Sequence, residues 1–423
     1  MQDTSQTSCC VVGAGPGGVV LSLLLARAGV SVTLLEAHQD LDRDFRGDTL
    51  HPSTLELMEE LGLSDELLQI PHSKIRQLGL QTETDSLTVA DFGKLKTPFP
   101  YIAMMPQVLF LEFLTERMKR YPHSRLVMGA NVHELIEEDG VYRGVRHKSE
   151  DGVHEVRSEL VVAADGRFSR LRKAAGLEPL MTSPPMDVLW FRLPRHAADH
   201  HEADAPGGLR IRGGHLLIAL ERKDDWQLGY VVLKGSYHEI REQGIGRLQQ
   251  SIAELAPEFA DRVACLEDWK QIAPLSVESS RLKQWHLPGL LFIGDAAHAM
   301  SPVGGVGINY AIQDAVAAAN ILADRLKAGG VTDKDLAAIQ KQRYFPTRVI
   351  QAFQTIVQNR IIRQALKPNV RFKIPFFLRL PWLRTLPARL IAFGIRRSRL
   401  SASLKASLPP GSADDRAKQQ PTT

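Results

Sequence analysis

The chain has 423 residues, 44% hydrophobic and 24% charged, ordinary for a globular enzyme and enough to bury a large core in two or three domains. Its three cysteines, two of them adjacent at Cys9 and Cys10, argue against a disulfide framework or a zinc site, and no uninterrupted apolar span reaches the roughly 18 residues of a membrane helix. The net charge of +4 is uneven: residues 336–413 hold fifteen Lys and Arg and no Asp or Glu, whereas residues 1–335 carry 35 bases against 46 acids. The tail is therefore a separate electrostatic object. MQDTSQTSCC lacks a basic n-region, so no signal peptide is expected and the chain is expected to be cytoplasmic.

Residues 9–37, CCVVGAGPGGVVLSLLLARAGVSVTLLEA, read as a βαβ unit. Gly13, Gly15 and Gly18 make GxGxxG between an apolar strand and an apolar helix, with Pro16 and Gly17 inside the turn. Such glycines seat a pyrophosphate on the helix N-terminus. Glu36, followed by Ala37, ends the second strand where its carboxylate can accept from ribose hydroxyls. In the polar segment that follows, Arg43 or Arg46 can grip phosphate oxygens bidentately or be solvated loop residues.

A helix is expected at 52–61, strands within 73–101, and a second helix at 106–120 with Val108, Leu111, Leu114 and Met118 at helical spacing. Gln107 at its start is a candidate ligand contact or an exposed cap residue. In LVVAADGRFSRLR (160–172) a buried strand runs into Asp165 and Gly166, then into a helix with Ser169 and Arg172. An Asp at a strand's carboxyl end sits where ligands bind, or caps its own helix.

Residues 186–234 read as a meander, with Val188, Trp190 and Arg192 on one face and Leu189, Phe191 and Leu193 on the other. Trp190, Arg192, Arg212 and Tyr230 are candidate substrate contacts, with ordinary sheet packing the alternative for each. The loop with His196, His200, His201 and Asp204 reads as solvated, and no metal site is expected.

Residues 291–314, LFIGDAAHAMSPVGGVGINYAIQD, read as a strand, a glycine-rich turn and a helix start. Gly294 and Asp295 end the strand, and Gly304, Gly305 and Gly307 let backbone approach a ligand closely. Helices are expected at 309–326, 333–342 and 344–366, and Pro375, Pro381 and Pro387 can each start a short turn. The aromatics and arginines of 374–400 suit an anionic membrane surface, a cap on the acidic body, or a subunit interface such as a homodimer's. Residues beyond 408 are expected to be disordered.

Three motifs, in order and spacing, carry a resemblance: GAGPGG with Glu36; Asp165-Gly166-x-x-Ser169-x-x-Arg172; and Gly294-Asp295-Ala-Ala-His298-x-x-x-Pro302-x-x-Gly305-x-Gly307-x-Asn309-x-x-x-x-Asp314. The chain resembles the class A flavoprotein monooxygenases, the group of p-hydroxybenzoate hydroxylase and the ubiquinone-biosynthesis hydroxylases. The resemblance spans residues 9–314 and leaves the β-rich insertion and the tail unassigned. With the element pattern it implies an α/β protein: a Rossmann-like FAD-binding domain at 1–72, 104–181 and 274–345, and an inserted β-sheet substrate domain at 73–103 and 182–273. A basic helical C-terminal extension at 346–407 and a tail at 408–423 complete it.

The resemblance also implies roles. Asp295 would contact the flavin ribityl chain or pyrophosphate, and the turn of Pro302, Gly305, Val306, Gly307, Ile308 and Asn309 would lie against the ring. Pro302, Gly305 and Gly307 would tune the flavin, because a helix N-terminus suits the negative charge of its reduced form. Arg46 matches the family arginine after the second strand, and the Asp165-Gly166 loop serves both FAD and the nicotinamide. The implied chemistry is reduction of FAD by NADH or NADPH, formation of a C4a-hydroperoxide with molecular oxygen, and oxygen transfer to an aromatic or other electron-rich, lipophilic substrate. No protein nucleophile is needed, and His298 is expected to be structural. Two alternatives stay open: an FAD dehydrogenase or reductase of isoprenoid or polycyclic substrates, and a non-catalytic flavin sensor. No nucleic-acid-binding module is recognisable, and a peripheral contact at the inner face of the membrane would run through 374–400.

Overall fold

The computed structural model describes residues 3–42, 47–182, 184–196, 199, 207–367, 372–374, 379 and 384–406. At its centre the strand Asp3–Val12 passes through the helix Pro16–Arg27 to the parallel strand Val32–Leu35, as the short connection and the apolar helix demand. The sheet extends from His286–Leu287 and Leu290–Phe292 through Gly152–Ala163, Asp3–Val12 and Val32–Leu35 to Ser124–Val127. The hairpin Asn131–Glu138 and Val141–Ser149 adds antiparallel to Gly152–Ala163.

Strand alternation sorts side chains between two cores. Cys9 and Val11 pack with Val19, Leu23 and Ile312 on one face, while Cys10 and Val12 pack with Val145, Trp285 and Phe292 on the other. Burial pushes both thiols up in pKa, Cys10 to about 12, so neither acts as a thiolate.

A second sheet orders Ala273–Leu275, Met186–Pro194, Asp225–Leu233, His215–Glu221, Gly207–Arg212, Gln77–Gln81 and Ser86–Asp91. One face carries Leu189, Phe191, Leu193 and Tyr230 and is covered by the helix Ile245–Leu255 through Leu248, Ile252 and Leu255. The other face carries Val188, Trp190, Leu216 and Val231. The two faces divide as the alternation predicts. Thr49–Leu50, Ile102–Met104 and Ser73–Ile75 form a separate three-stranded sheet.

The helices expected at 333–342 and 344–366 are one helix, Asp333–Val357, running on through a π turn at Gln358–Ile362 to Arg363–Ala365. Pro346 lies inside it and removes one backbone donor, between the buried residues Arg343 and Ile350. The boundary drawn at 345/346 therefore falls within a helix. Of the three prolines expected to start turns, Pro387 lies in the helix Thr385–Phe393; Pro375 and Pro381 lie outside the described residues.

Three of the basic C-terminal residues meet the acidic body. Arg397 pairs with Glu56, Lys405 with Glu60 and Arg379 with Asp85, and the Leu400 N–H donates to Glu60 Oε2 at 3.2 Å. Among the described residues, no helix is long and apolar enough to cross a membrane.

Candidate active site

The glycine turn is shaped by exclusion. A Cβ on Gly13, whose φ is +104°, would stand 2.4 Å from the Ala164 carbonyl oxygen, and one on Gly18 would stand 2.0 Å from the Gly13 carbonyl oxygen. Those two glycines lock the turn against the neighbouring strand and its own helix. At Gly15 nothing lies within 4 Å of a Cβ position, so that face is open to a ligand. Gly15 is the N-cap of Pro16–Arg27 and provides no side-chain cap, which leaves the first N–H groups of the helix available. Beside them lies Glu36, nearly buried: its Oε2 accepts from the Ala14 N–H at 2.8 Å and its Oε1 from the His38 N–H at 3.1 Å.

Asp165 does two jobs. Its Oδ2 accepts from the Leu171 N–H at 3.1 Å, closing the turn, while its Oδ1 is buried with no partner. Burial pushes its pKa up. Arg172 does not line the cavity. Its guanidinium donates to the Ala296 carbonyl at 2.9 Å and the Arg167 carbonyl at 2.8 Å, fastening the second motif to the third. The cofactor contact expected of Arg172 is thus replaced by a structural bond.

The third motif rests on a buried hydrogen-bonded cluster around Asp314. Asp314 accepts from the Gly294 N–H at 3.0 Å, from His298 Nε2 at 2.6 Å and from Arg343 Nε at 2.7 Å. Burial alone would raise the Asp314 pKa, but His298 and Arg343 outweigh it and hold the carboxyl below its usual range. His298 stacks on Trp285, with ring centroids 4.8 Å apart, and takes the structural place expected of it. The following turn uses positive φ at Gly304 (+80°) and Gly305 (+61°). Thr49 Oγ1 donates to the Gly305 carbonyl at 3.2 Å. His51, fully buried, meets the Ile391 carbonyl at 2.8 Å through Nδ1, and burial depresses its pKa to about 4.

These motifs open onto one cavity of about 1430 Å³. One end is lined by Gly13, Gly15, Pro16, Gly17, Glu36 and Ala37. Its middle is lined by Gln107, Asp165, Gly166, Gly294 and Asp295, and by Pro302, Gly305, Gly307 and Ile308 of the glycine turn. The helix Gly307–Ala328 starts there without a side-chain cap, so its positive end faces the cavity. Val306 and Asn309 turn away. Val306 packs into the core beside Tyr310, and Asn309 Oδ1 accepts from Ser53 Oγ at 2.5 Å and Thr54 Oγ1 at 3.2 Å.

The far end is apolar, walled by Val188, Trp190, Leu209, Leu216, Ile218 and Val231 of the second sheet. Of the four candidate substrate contacts, only Trp190 lines it. Arg192 is exposed and does not reach the wall. Arg212 donates to the Glu254 carbonyl at 3.2 Å, and the Tyr230 hydroxyl bonds Ser251 Oγ at 2.8 Å, both on the helix-covered face. Arg43 and Arg46 lie outside the described residues, as do His200, His201 and Asp204.

Sequence reasoning missed several lining groups. Asp48 accepts from the Gln107 N–H at 3.2 Å and pairs with Arg222 at 3.2 Å, its pKa pushed up chiefly by burial. Phe353, Ile356 and Arg360 bring the long C-terminal helix and its π turn to the cavity.

A family model described as an FAD binding domain matches residues 6–352. The chain belongs to this family, that of the FAD-dependent flavoprotein monooxygenases. It is 33% identical over 414 residues to the 6-methylpretetramide 4-monooxygenase of Streptomyces rimosus, covering 95% of this chain and 96% of that one. Among solved structures it resembles an anhydrotetracycline hydroxylase from Streptomyces rimosus, with TM-score 0.70 at 22% identity, covering 92% of this chain and 76% of that one. It also resembles a probable FAD-dependent monooxygenase from Pseudomonas aeruginosa, with TM-score 0.73 at 20% identity over 86% and 98% of the two chains.

The residues present fit FAD. The open Gly15 face, the uncapped helix N-termini, the unpartnered Asp165 Oδ1 and the buried Glu36 carboxylate offer donors and acceptors where a dinucleotide needs them. A reduced nicotinamide dinucleotide is the electron donor of this monooxygenase family, and FAD supplies the redox and oxygen chemistry when bound.

Proposed function

We propose that this monooxygenase hydroxylates a flat, polycyclic aromatic substrate whose rings lie along the apolar face of the second sheet. The observation that carries the reading is the cavity itself. At about 1430 Å³ it takes in both the dinucleotide end and a broad apolar end, whose wall on the second sheet is aliphatic apart from the flat indole of Trp190. The relatives named for hydroxylating 6-methylpretetramide and anhydrotetracycline support a multi-ring substrate.

The protein's part is to bind, orient and exclude water. Glu36 and the Gly15 turn hold the dinucleotide end, and Gly294, Asp295 and the Pro302–Gly305 turn present the ring end to the apolar wall. The start of Gly307–Ala328 stabilises negative charge developing near it. With Cys9 and Cys10 buried and His298 committed to Asp314, no protein nucleophile is assigned.

In this proposal the C-terminal segment is a cap on the acidic body rather than a membrane anchor, supported by three of its bases, Arg379, Arg397 and Lys405, which pair with Asp85, Glu56 and Glu60. The test is substrate-stimulated oxidation of NADH and NADPH across phenols of one to four rings. Stimulation should rise with ring number. Preference for single-ring phenols would end the proposal.

A further inference from the structure

We propose that Gln351, Gln354 and Gln358 are positioning residues that set the place of the 299–303 segment against the flavin ring. The proposal rests on the reading of residues 294–309 as the ring side of the FAD site. All three glutamines are buried, with Gln354 1% exposed. Gln351 Nε2 donates to the carbonyls of Ser280 at 2.9 Å and Ala299 at 3.1 Å. Gln354 Nε2 donates to the carbonyls of Ser301 at 2.8 Å and Val303 at 2.9 Å. Gln358 Nε2 donates to Ser301 Oγ.

Spacings of three and four put the glutamines on one helix face, about 10 Å apart from first to last. Across from it Gln351 takes the Ala299 carbonyl, Gln354 the Ser301 and Val303 carbonyls, and Gln358 the Ser301 hydroxyl, so the amides converge where the chain turns at Pro302 into Val303–Gly305. Residues 298–301 belong to no helix or strand; the Ser280 N–H holds the Ala299 carbonyl at 3.0 Å, and at Ser301 and Val303 the Gln354 and Gln358 amides supply the contacts to the long helix. Amide orientation is settled by chemistry: the partners of Gln351 and Gln354 are carbonyl oxygens, which only accept, so each NH₂ must face them. The π turn at Gln358–Ile362 begins at the last of the three, and such turns recur at functional sites.

The Gln354 Oε1 is buried with no partner. An apolar side chain of the same length would avoid that unsatisfied acceptor, so packing alone does not account for the amide. Its two donated bonds hold carbonyls on either side of Pro302, which lines the cavity. Gln340 is an internal control. On the same helix, its Nε2 donates to the Lys283 carbonyl at 2.8 Å and its Oε1 accepts from the Trp285 N–H at 2.9 Å, away from the glycine turn.

The experiment compares Q354M and Q340M, each as the full chain loaded with FAD. Q354M should bind FAD severalfold more weakly, shift the visible absorption bands of the bound flavin and change its midpoint potential; Q340M should match wild type in all three. With a hydroxylated substrate, Q354M should also release severalfold more peroxide per reduced nicotinamide consumed. If Q354M proves insoluble, S301A removes the Gln358 contact from the segment's own side, and the same spectral shift is expected in smaller measure. A folded Q354M, or S301A in its place, with wild-type flavin bands and potential overturns the proposal, as does an equal shift in Q340M. The spectral and potential readouts need no substrate, so a chain that binds FAD but hydroxylates nothing would defeat the proposed function while leaving this test intact.

Discussion

Replacing Asp314 by Asn tests the load on the third motif. The substitution keeps the side-chain shape but removes the charge that faces Arg343, whose guanidinium is fully buried. Asp314 accepts three hydrogen bonds, from Gly294, His298 and Arg343. Arg343 NH1 keeps bonds to Gln313 Oε1 at 3.1 Å and the Arg396 carbonyl at 3.3 Å, but neither partner carries a countercharge. Breaking a buried pair from one side costs about 3–5 kcal/mol, against about 5–15 kcal/mol of total stability. D314N should therefore lower the denaturant midpoint sharply, read by tryptophan fluorescence because Trp285 stacks on His298. Adding R343M should recover most of the loss, since removing both charges leaves none buried alone. A D314N protein within about 1 kcal/mol of wild type would refute the reasoning, because it would mean that Arg343 finds compensation elsewhere.

Three other outcomes are expected. G18A places a methyl 2.0 Å from the Gly13 carbonyl oxygen, so the turn must move and the purified protein should carry little flavin, measured by absorbance; full FAD content would contradict the packing. E36Q should weaken FAD binding about 10- to 100-fold by fluorescence titration, since charge-assisted hydrogen bonds contribute about 1.5–3 kcal/mol. His51 gives a pH signature. Its folded pKa of about 4 lies below the unfolded value of 6.5, so its contribution is fully present above pH 6.5 and is lost as pH falls towards 4. The loss reaches about 3 kcal/mol, and unfolding of wild type and H51L across that window should show it only in wild type.

What was legible in the sequence was what is local. Gly13, Gly15, Gly18 and Glu36 lie on one βαβ unit, so their spacing alone describes the turn that the structure forms. Asp165 and the 302–307 turn could be marked as ligand-facing because strand ends and glycine runs carry a backbone signature. The role of Arg172 was not legible, because its partners are backbone carbonyls of residues 167 and 296, which leave no trace in residue identity. The same applies to the glutamines at 351, 354 and 358.

Alternation separated the two faces of the second sheet but could not say which face a helix would cover. Leu248, Ile252 and Leu255 settle that, and with it the removal of Arg212 and Tyr230 from the substrate wall. The two helices expected at 333–342 and 344–366 are continuous through residue 343, where the buried Arg343 faces Asp314, a partner that residue identity in this stretch does not reveal.

The central claim is oxygen transfer to an aromatic substrate, and isotope-labelled dioxygen tests it most directly. The FAD-loaded chain, given reduced nicotinamide and a polycyclic phenol under labelled dioxygen, should yield product carrying one labelled atom per substrate hydroxylated. Reduced nicotinamide consumed with a converted product that contains no labelled oxygen would contradict the account and leave a dehydrogenase or reductase in its place.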